Sequence, residues 1–566
     1  MNQKYISENE KEMKETRDDR LNFKLSLRKK EYNKKIYNKR KIFFENSNLL
    51  KENKSNSSKY DENLLENNNI FKVISKEQIL EKIKKLQNKN TSIYNNITEI
   101  SQCFLSLYSY MNQNLIDSLK FIDYNKIYIF LIDFIENIFN TPYTQDINTI
   151  HNNIELLIYK ALELLFKYSS YKDNNNEMIK YLISDNKINI FNQILSSIIN
   201  KGNSKQNKII INGSKKTNIL LFSIILLHNF SVESSELFNV IQNIKFDEKL
   251  IIFINDKNNN LNINDDNINY IIQYFSLSLL DKNIINKDEN YIINICEFLN
   301  KKGIISLNLK AQELSLFCLS NITALYESNK LYNKMIYSGI FDNIFQIIKT
   351  SNIMYYIIAA LNIVNNILNE KNIDLNYFLK SDLLKGLMEL IINYEKHKNN
   401  ITPKLLHYII SIFLYLTKSP IFYSLINNNL NFIVVLVELI GKISTEVTHD
   451  ILTFIKDIIN ESYKISQLII YNNKELIMKL IDIIKENSHN NKIPTMSAFI
   501  LFQITKYYYY DNSIEENENS KFKFKEYAIQ IKEIIELKLL NENSINENLK
   551  RIFKEILKIM EEKKEI

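Results

Sequence analysis

The chain has 566 residues but only six glycines and four prolines, so it is longer than one globular core ordinarily spans and lacks the breakers that punctuate strand-rich folds. The glycines stand singly, which rules out a phosphate-cradling loop, and the six histidines have neither a zinc-protease nor a paired-ligand spacing. Of the 72 Lys and Arg and 65 Asp and Glu, residues 1–60 hold 17 and 9, leaving 55 against 56 for all the rest. The whole basic excess therefore lies in the first tenth of the chain. Apolar residues recur at i, i+3, i+4 and i+7 throughout. The expected class is all-α, with no enzymatic activity, cofactor or metal.

In chain order, residues 1–16 are predicted to be disordered. Residues 17–44 form a basic arm. Within Arg17 to Lys41 stand 11 basic and 3 acidic residues and no helix breaker, so a helix is expected there at least when bound. A polar Asn-, Ser- and Lys-rich linker covers 45–75. Repeated helices then occupy 76–510, followed by an acidic loop at 511–521 and capping helices at 522–566.

The repeats are clearest between Leu307 and Asn369. One apolar helix ends in Leu316-Phe317-Cys318-Leu319-Ser320-Asn321-Ile322-Thr323-Ala324, and a second in Ala359-Ala360-Leu361-Asn362-Ile363-Val364-Asn365-Asn366-Ile367. Asn321 and Asn365 lie 44 positions apart, with two shorter helical patterns and a break at Ser338-Gly339 between them. Three helices at a period in the forties is the armadillo signature. Carried outward, the register places Asn229, Ser276, Asn321, Asn365, Tyr415, Asp457 and Gln503 at one phase, with spacings of 42 to 50. Upstream of Asn229 low-complexity insertions such as Lys201 to Thr217 loosen the register, and Lys167 and Tyr108 are earlier members. About nine repeats are expected, from near Asn95 to Tyr510, as one uninterrupted run.

Cys103, Cys296 and Cys318 sit in apolar helical patterns without redox or metal spacing and read as reduced core residues of an intracellular protein. His228 and His407 read as rim or core residues rather than catalytic ones. The beginning Met1-Asn2-Gln3-Lys4 lacks an apolar signal region, and no apolar run approaches a membrane span. A soluble protein of the cytoplasm and nucleus, without a membrane partner, is expected.

Two features resemble the importin-α family. Leu27-Arg28-Lys29, followed after nine residues by Lys39-Arg40-Lys41-Ile42 with Ile36-Tyr37 between, is similar to the end of that family's importin-β-binding domain. The family's upstream box survives at best as Arg20 to Lys24, without its Gly. Ser320-Asn321-Ile322-Thr323-Ala324 is identical to a run in the family's third helices, and Tyr337-Ser338-Gly339-Ile340 is similar to the break that follows. The family's Trp, four residues before each Asn, is replaced by Ile225, Ile272, Phe317, Leu361, Ser411, Thr453 and Phe499; the chain has no Trp.

The resemblance implies a right-handed superhelical solenoid acting as a nuclear transport adaptor. Asn229, Asn321, Asn365 and Phe317 would line a concave groove for basic nuclear-localisation peptides. Leu27, Arg28, Lys29, Lys35, Lys39, Arg40 and Lys41 would bind importin-β or, when free, occupy the groove. Cargo proteins and an exportin at the C-terminal end complete the implied partners. Two other readings compete. One is an armadillo scaffold that has lost recognition of localisation signals, its Asn residues being products of an AT-rich coding bias satisfied locally. The other is a basic-tailed protein associated with nucleic acid, although no specific nucleic-acid partner is expected. Acidic residues beside Asn321 and Asn365 would favour the adaptor; an apolar or basic surface would favour the scaffold.

Overall fold

The computed structural model describes residues 73–562, interrupted at 89–95, 141–146, 172–175, 185, 200–210, 212–214, 257–264, 280–286, 327, 370–372, 394–401, 427–430, 462–473, 487–491, 511–517 and 541–545. Among the described residues every regular element is a helix. The chain divides into two compact units, Met1–Leu325 and Tyr326–Ile566, so the single run of repeats expected from the period is met as two runs.

In the first unit α1 (Lys76–Asn88) and α2 (Ile97–Gln113) precede three full repeats. These are α3 (Leu115–Tyr124), α4 (Ile127–Asn140) and α5 (Ile147–Tyr171); α6 (Asn176–Ser184), α7 (Asn189–Ile199) and α8 (Lys216–Glu233); and α9 (Ser235–Asn243), α10 (Phe246–Asn255) and α11 (Asp265–Ser278). Then come α12 (Glu289–Phe298), drawn out by a π-helical turn Leu299–Ile304, and α13 (Leu309–Leu325). Helices α2, α5, α8, α11 and α13 stack each on the next; α4, α7, α10 and α12 form a second row, and α6 packs on α9.

The second unit repeats the plan. Its full repeats are α14 (Asn329–Tyr337), α15 (Ile340–Thr350) and α16 (Met354–Leu368); α17 (Leu375–Lys380), α18 (Leu383–Ile392) and α19 (Pro403–Leu416); and α20 (Pro420–Ile426), α21 (Asn431–Leu439) and α22 (Thr445–Glu461). Helices α23 (Lys474–Lys485), α24 (Lys492–Tyr510), α25 (Glu518–Leu540) and α26 (Glu547–Glu562) follow. One row runs α16, α19, α22, α24, α26 and another α15, α18, α21, α23, α25, while α17 packs on α20. Through the full repeats like helix meets like helix every three elements, so each unit is an all-α solenoid of armadillo type.

Local chemistry sets the helix boundaries. Ser234, Ser328 and Thr402 cap α9, α14 and α19, their hydroxyls accepting from the N–H of Leu237, Leu331 and Leu405 at 3.1, 3.2 and 3.3 Å. Four of the corners between first and second helices turn through left-handed backbone, with φ of 50° at Lys126, 53° at Asn186, 55° at Lys245 and 72° at Gly339. Only Gly339 meets that need without a Cβ penalty. At Gly303, in the π turn, a Cβ would lie 1.7 Å from Ser315 Oγ, so glycine there permits the close approach of α13.

The rows are welded by rings and by tyrosine–carboxylate bonds. Phe413 lies 5.3 Å from Phe432 and 5.4 Å from Phe454, joining α19, α21 and α22; such pairs contribute about 0.5–1.5 kcal/mol beyond their burial. Tyr168 donates to Asp123 at 2.6 Å and Tyr377 to Asp342 at 2.9 Å, and Tyr181 bonds Asp133 and Tyr274 bonds Asp247 in the same manner. Cys103, Cys296 and Cys318 are buried, unpaired thiols.

Candidate peptide-binding surface

A stacked row of third helices offers one surface able to follow an extended chain across several repeats. Every residue placed at the common phase lies on a helix of the corresponding row in its own unit: Tyr108 on α2, Lys167 on α5, Asn229 on α8, Ser276 on α11 and Asn321 on α13 in the first, Asn365 on α16, Tyr415 on α19, Asp457 on α22 and Gln503 on α24 in the second. Exposure divides them.

Asn229 is 7% exposed, with its Nδ2 3.5 Å from Ser170 Oγ. Asn321 is 2% and Asn365 5% exposed. The Asn321 Nδ2 and Asn365 Oδ1 are shielded from solvent and have no hydrogen-bond partner among the described residues. A buried orphan of this kind costs about 1–3 kcal/mol. The three amides are thus packed, not open rungs of a groove. On α16 the partly exposed neighbour is Asn366, turned about 100° further round the helix than Asn365. Phe317 is partly exposed one turn before Asn321. Asn229, Phe317 and Asn321 belong to the first unit and Asn365 to the second. Leu27, Arg28, Lys29, Lys35, Lys39, Arg40 and Lys41 lie outside the described residues.

The open stripe lies elsewhere. Ser411 and Tyr415 on α19, Thr453 and Asp457 on α22, and Phe499 and Gln503 on α24 are all partly exposed at the same phase on three consecutive helices of one row. Around them, Lys418 Nζ sits 4.6 Å above the Tyr415 ring and Lys456 Nζ 3.5 Å from Asp457. His407 Nδ1 and Asp450 Oδ2 are 2.6 Å apart, bridging α19 and α22. Burial would raise the Asp450 carboxyl, but the imidazoles of His407 and His449 outweigh it and hold the group below the usual carboxylate range. At Asp457 burial wins over Lys456, and the carboxyl is held above that range. Burial, then the charges of Glu461 and Asp457, pushes Tyr423 up to about 12. The stripe therefore alternates rings, short polar groups and carboxylates that already have partners, Asp457 in Lys456 and Asp450 in His407.

Beside Asn321 the partly exposed residues of α13 are Lys310, Gln312, Glu313, Phe317 and Ala324, and Glu313 is paired with Lys310 at 3.2 Å. Beside Asn365 the exposed and partly exposed residues of α16 are Met354, Tyr355, Ile358, Ala359 and Asn366, none of them acidic. Sequence reasoning passed over Lys418, Lys456 and Asp450, because charged residues at the shoulder of a stripe look like ordinary solvated positions. The readable signal was the polar stripe on α19, α22 and α24. No group of His, Cys, Asp or Glu among the described residues could hold a metal ion, and no single described helix is long and apolar enough to cross a membrane.

No family model matches the sequence, and no curated protein matches it. Among solved structures, an engineered protein overlaps 86% of this chain and 99% of its own at 13% identity, with a TM-score of 0.49. A designed armadillo repeat protein in complex with the peptide (KR)4 overlaps 47% of this chain and 98% of its own at 15% identity and a TM-score of 0.35. Computationally designed armadillo repeat proteins for modular peptide recognition give 14% identity over 47% of this chain and 98% of theirs, with a TM-score of 0.36. The fold assignment rests on the rows of stacked helices within each unit.

Proposed function

We propose that this protein is an armadillo-type interaction scaffold whose ligand is an extended polypeptide lying across α19, α22 and α24. The supporting observation is the register of partly exposed residues, Ser411/Tyr415, Thr453/Asp457 and Phe499/Gln503, on consecutive stacked helices. Short polar groups at this spacing suit the N–H and C=O of a bound backbone, and the rings suit its side-chain stems. The carboxylates are paired, so the stripe is not a bare acidic slot for lysines. This favours a scaffold over a receptor for basic localisation signals. The test is selection of binders from a random peptide library on the full chain. Peptides so enriched should bind a Tyr415→Ala/Phe499→Ala variant at least ~10-fold more weakly, a loss of about 1.4 kcal/mol; unchanged binding would place the ligand elsewhere.

The nuclear transport adaptor is the second reading, favoured by the likeness of Leu27 to Ile42 to an importin-β-binding segment. It requires importin-β to bind the full chain and not a chain starting after Asn46. It also requires affinity of the repeats for a basic peptide to stay equal or rise on that truncation. Loss of steeply salt-dependent polyanion binding, with no importin-β binding by either chain, would leave only a nucleic-acid contact by the arm.

A further inference from the structure

The α2–α5 junction carries a second, separate chemistry. The Lys167 ammonium lies 3.7 Å above the Tyr108 ring and donates to Asn112 Oδ1 at 2.9 Å. The Lys160 ammonium lies 4.4 Å from the same ring and 3.1 Å from Glu163 Oε2. A π face, an amide oxygen and a carboxylate converge there, the three groups that together hold a primary ammonium out of water. Glu163 bonds Lys160 and not Lys167, and its Oε1 is buried without a hydrogen-bond partner.

Lys167 is poorly rewarded for filling this place. It is 4% exposed, and burial, only partly offset by Glu163 and further opposed by Lys160, pulls it down to about 8. A residue kept only for core packing would not need a charged end, whereas an ammonium with a ring beneath it and an amide before it has the surroundings of a bound ligand. Asn112 is exposed and Tyr108 half-buried, so the site borders solvent. Both Tyr108 and Lys167 stand at the phase that forms the open stripe in the second unit.

We infer that the α2–α5 junction is a receptor for a primary ammonium group, filled in this structure by the chain's own Lys167, and that the lysine of a bound peptide enters only by displacing it. The site lies in the first unit and stands or falls independently of the surface on α19, α22 and α24.

The experiment is chemical rescue in the full-length chain. Lys167→Ala removes the ammonium and its stem but keeps a good helix former. Propylammonium chloride should recover most of the Tm lost on substitution, while sodium chloride and 1-propanol at equal concentration should not. Recovery should vanish in Tyr108→Leu/Lys167→Ala. No recovery, equal recovery with propanol, or recovery that survives loss of the ring would each overturn the assignment. Should Lys167→Ala not fold, lysine-selective 15N spectra of the unsubstituted chain decide. The ring-shifted Lys167 ammonium signal should move to the bulk position as propylammonium is added, and a signal that stays in place refutes displacement.

Discussion

α8 and α19 hold the same place in their repeats, yet they meet their surroundings differently. Ile219 to Phe230 of α8 are buried round the whole circumference. On α19, His407, Ser411, Leu414 and Tyr415 leave a stripe partly exposed, continued on α22 and α24. The sequence carries the cause: α8 reads Ile-Leu-Leu-Phe-Ser-Ile-Ile-Leu-Leu-His-Asn-Phe, apolar on every face, and such a helix belongs inside. One repeat plan thus runs closed in part of the first unit and open in part of the second. Closed third helices hold the fold together, and open ones leave polar groups for a partner.

The largest test of that division compares two carboxylates. Asp247, 1% exposed, accepts from Gln242 Nε2 at 2.7 Å and from the hydroxyls of Tyr274 and Tyr291. Asp247→Ala should cost about 3–5 kcal/mol in chemical denaturation, because three donors lose their acceptor in a dry core. Asp457→Ala, on the open stripe, should change stability by no more than about 0.5 kcal/mol. Asp247 lies on α10 beneath α11, so equal costs would erase the distinction between the dry interior of the first unit and the open stripe of the second.

Acid sharpens the comparison next. Burial pulls His228 of α8 from 6.5 to about 4. Between those values the unfolded chain binds the proton and the folded chain does not, so stability rises with pH across this window and is lost as pH falls through it. The loss by pH 4 should be roughly 3 kcal/mol. His228→Leu should flatten that part of the stability profile, and an unchanged profile would mean that the α8 environment is wetter than its burial implies.

The smallest effect concerns the corners. Lys245→Gly in the first unit should stabilise by about 1 kcal/mol, since a left-handed L-residue is strained, and Gly339→Ala in the second should cost a similar amount. Opposite signs in paired melts would confirm that both units turn the same corner with different residues.

The row of third helices was legible in the sequence because its apolar period is strong. Its rotation was less so. Asn365 was singled out by residue type, and in a chain rich in Asn that marker could not separate it from Asn366, one step round the helix and partly exposed. The left-handed corners showed only where glycine announced them, at Gly339 and not at Lys126, Asn186 or Lys245. Bonds such as Tyr168 to Asp123 and Tyr377 to Asp342 join residues 45 and 35 positions apart, a separation at which no local pattern exists to be read.

The stacking of like helix on like helix has a mechanical side. Within each unit the main packing of a repeat is with its neighbours, so a pull along the chain loads one interface at a time instead of the whole core at once. Extended under tension, a repeat of about 45 residues releases about 150 Å of contour. Each unit should therefore behave as a spring that lengthens in steps of that size and takes them back in when the load falls.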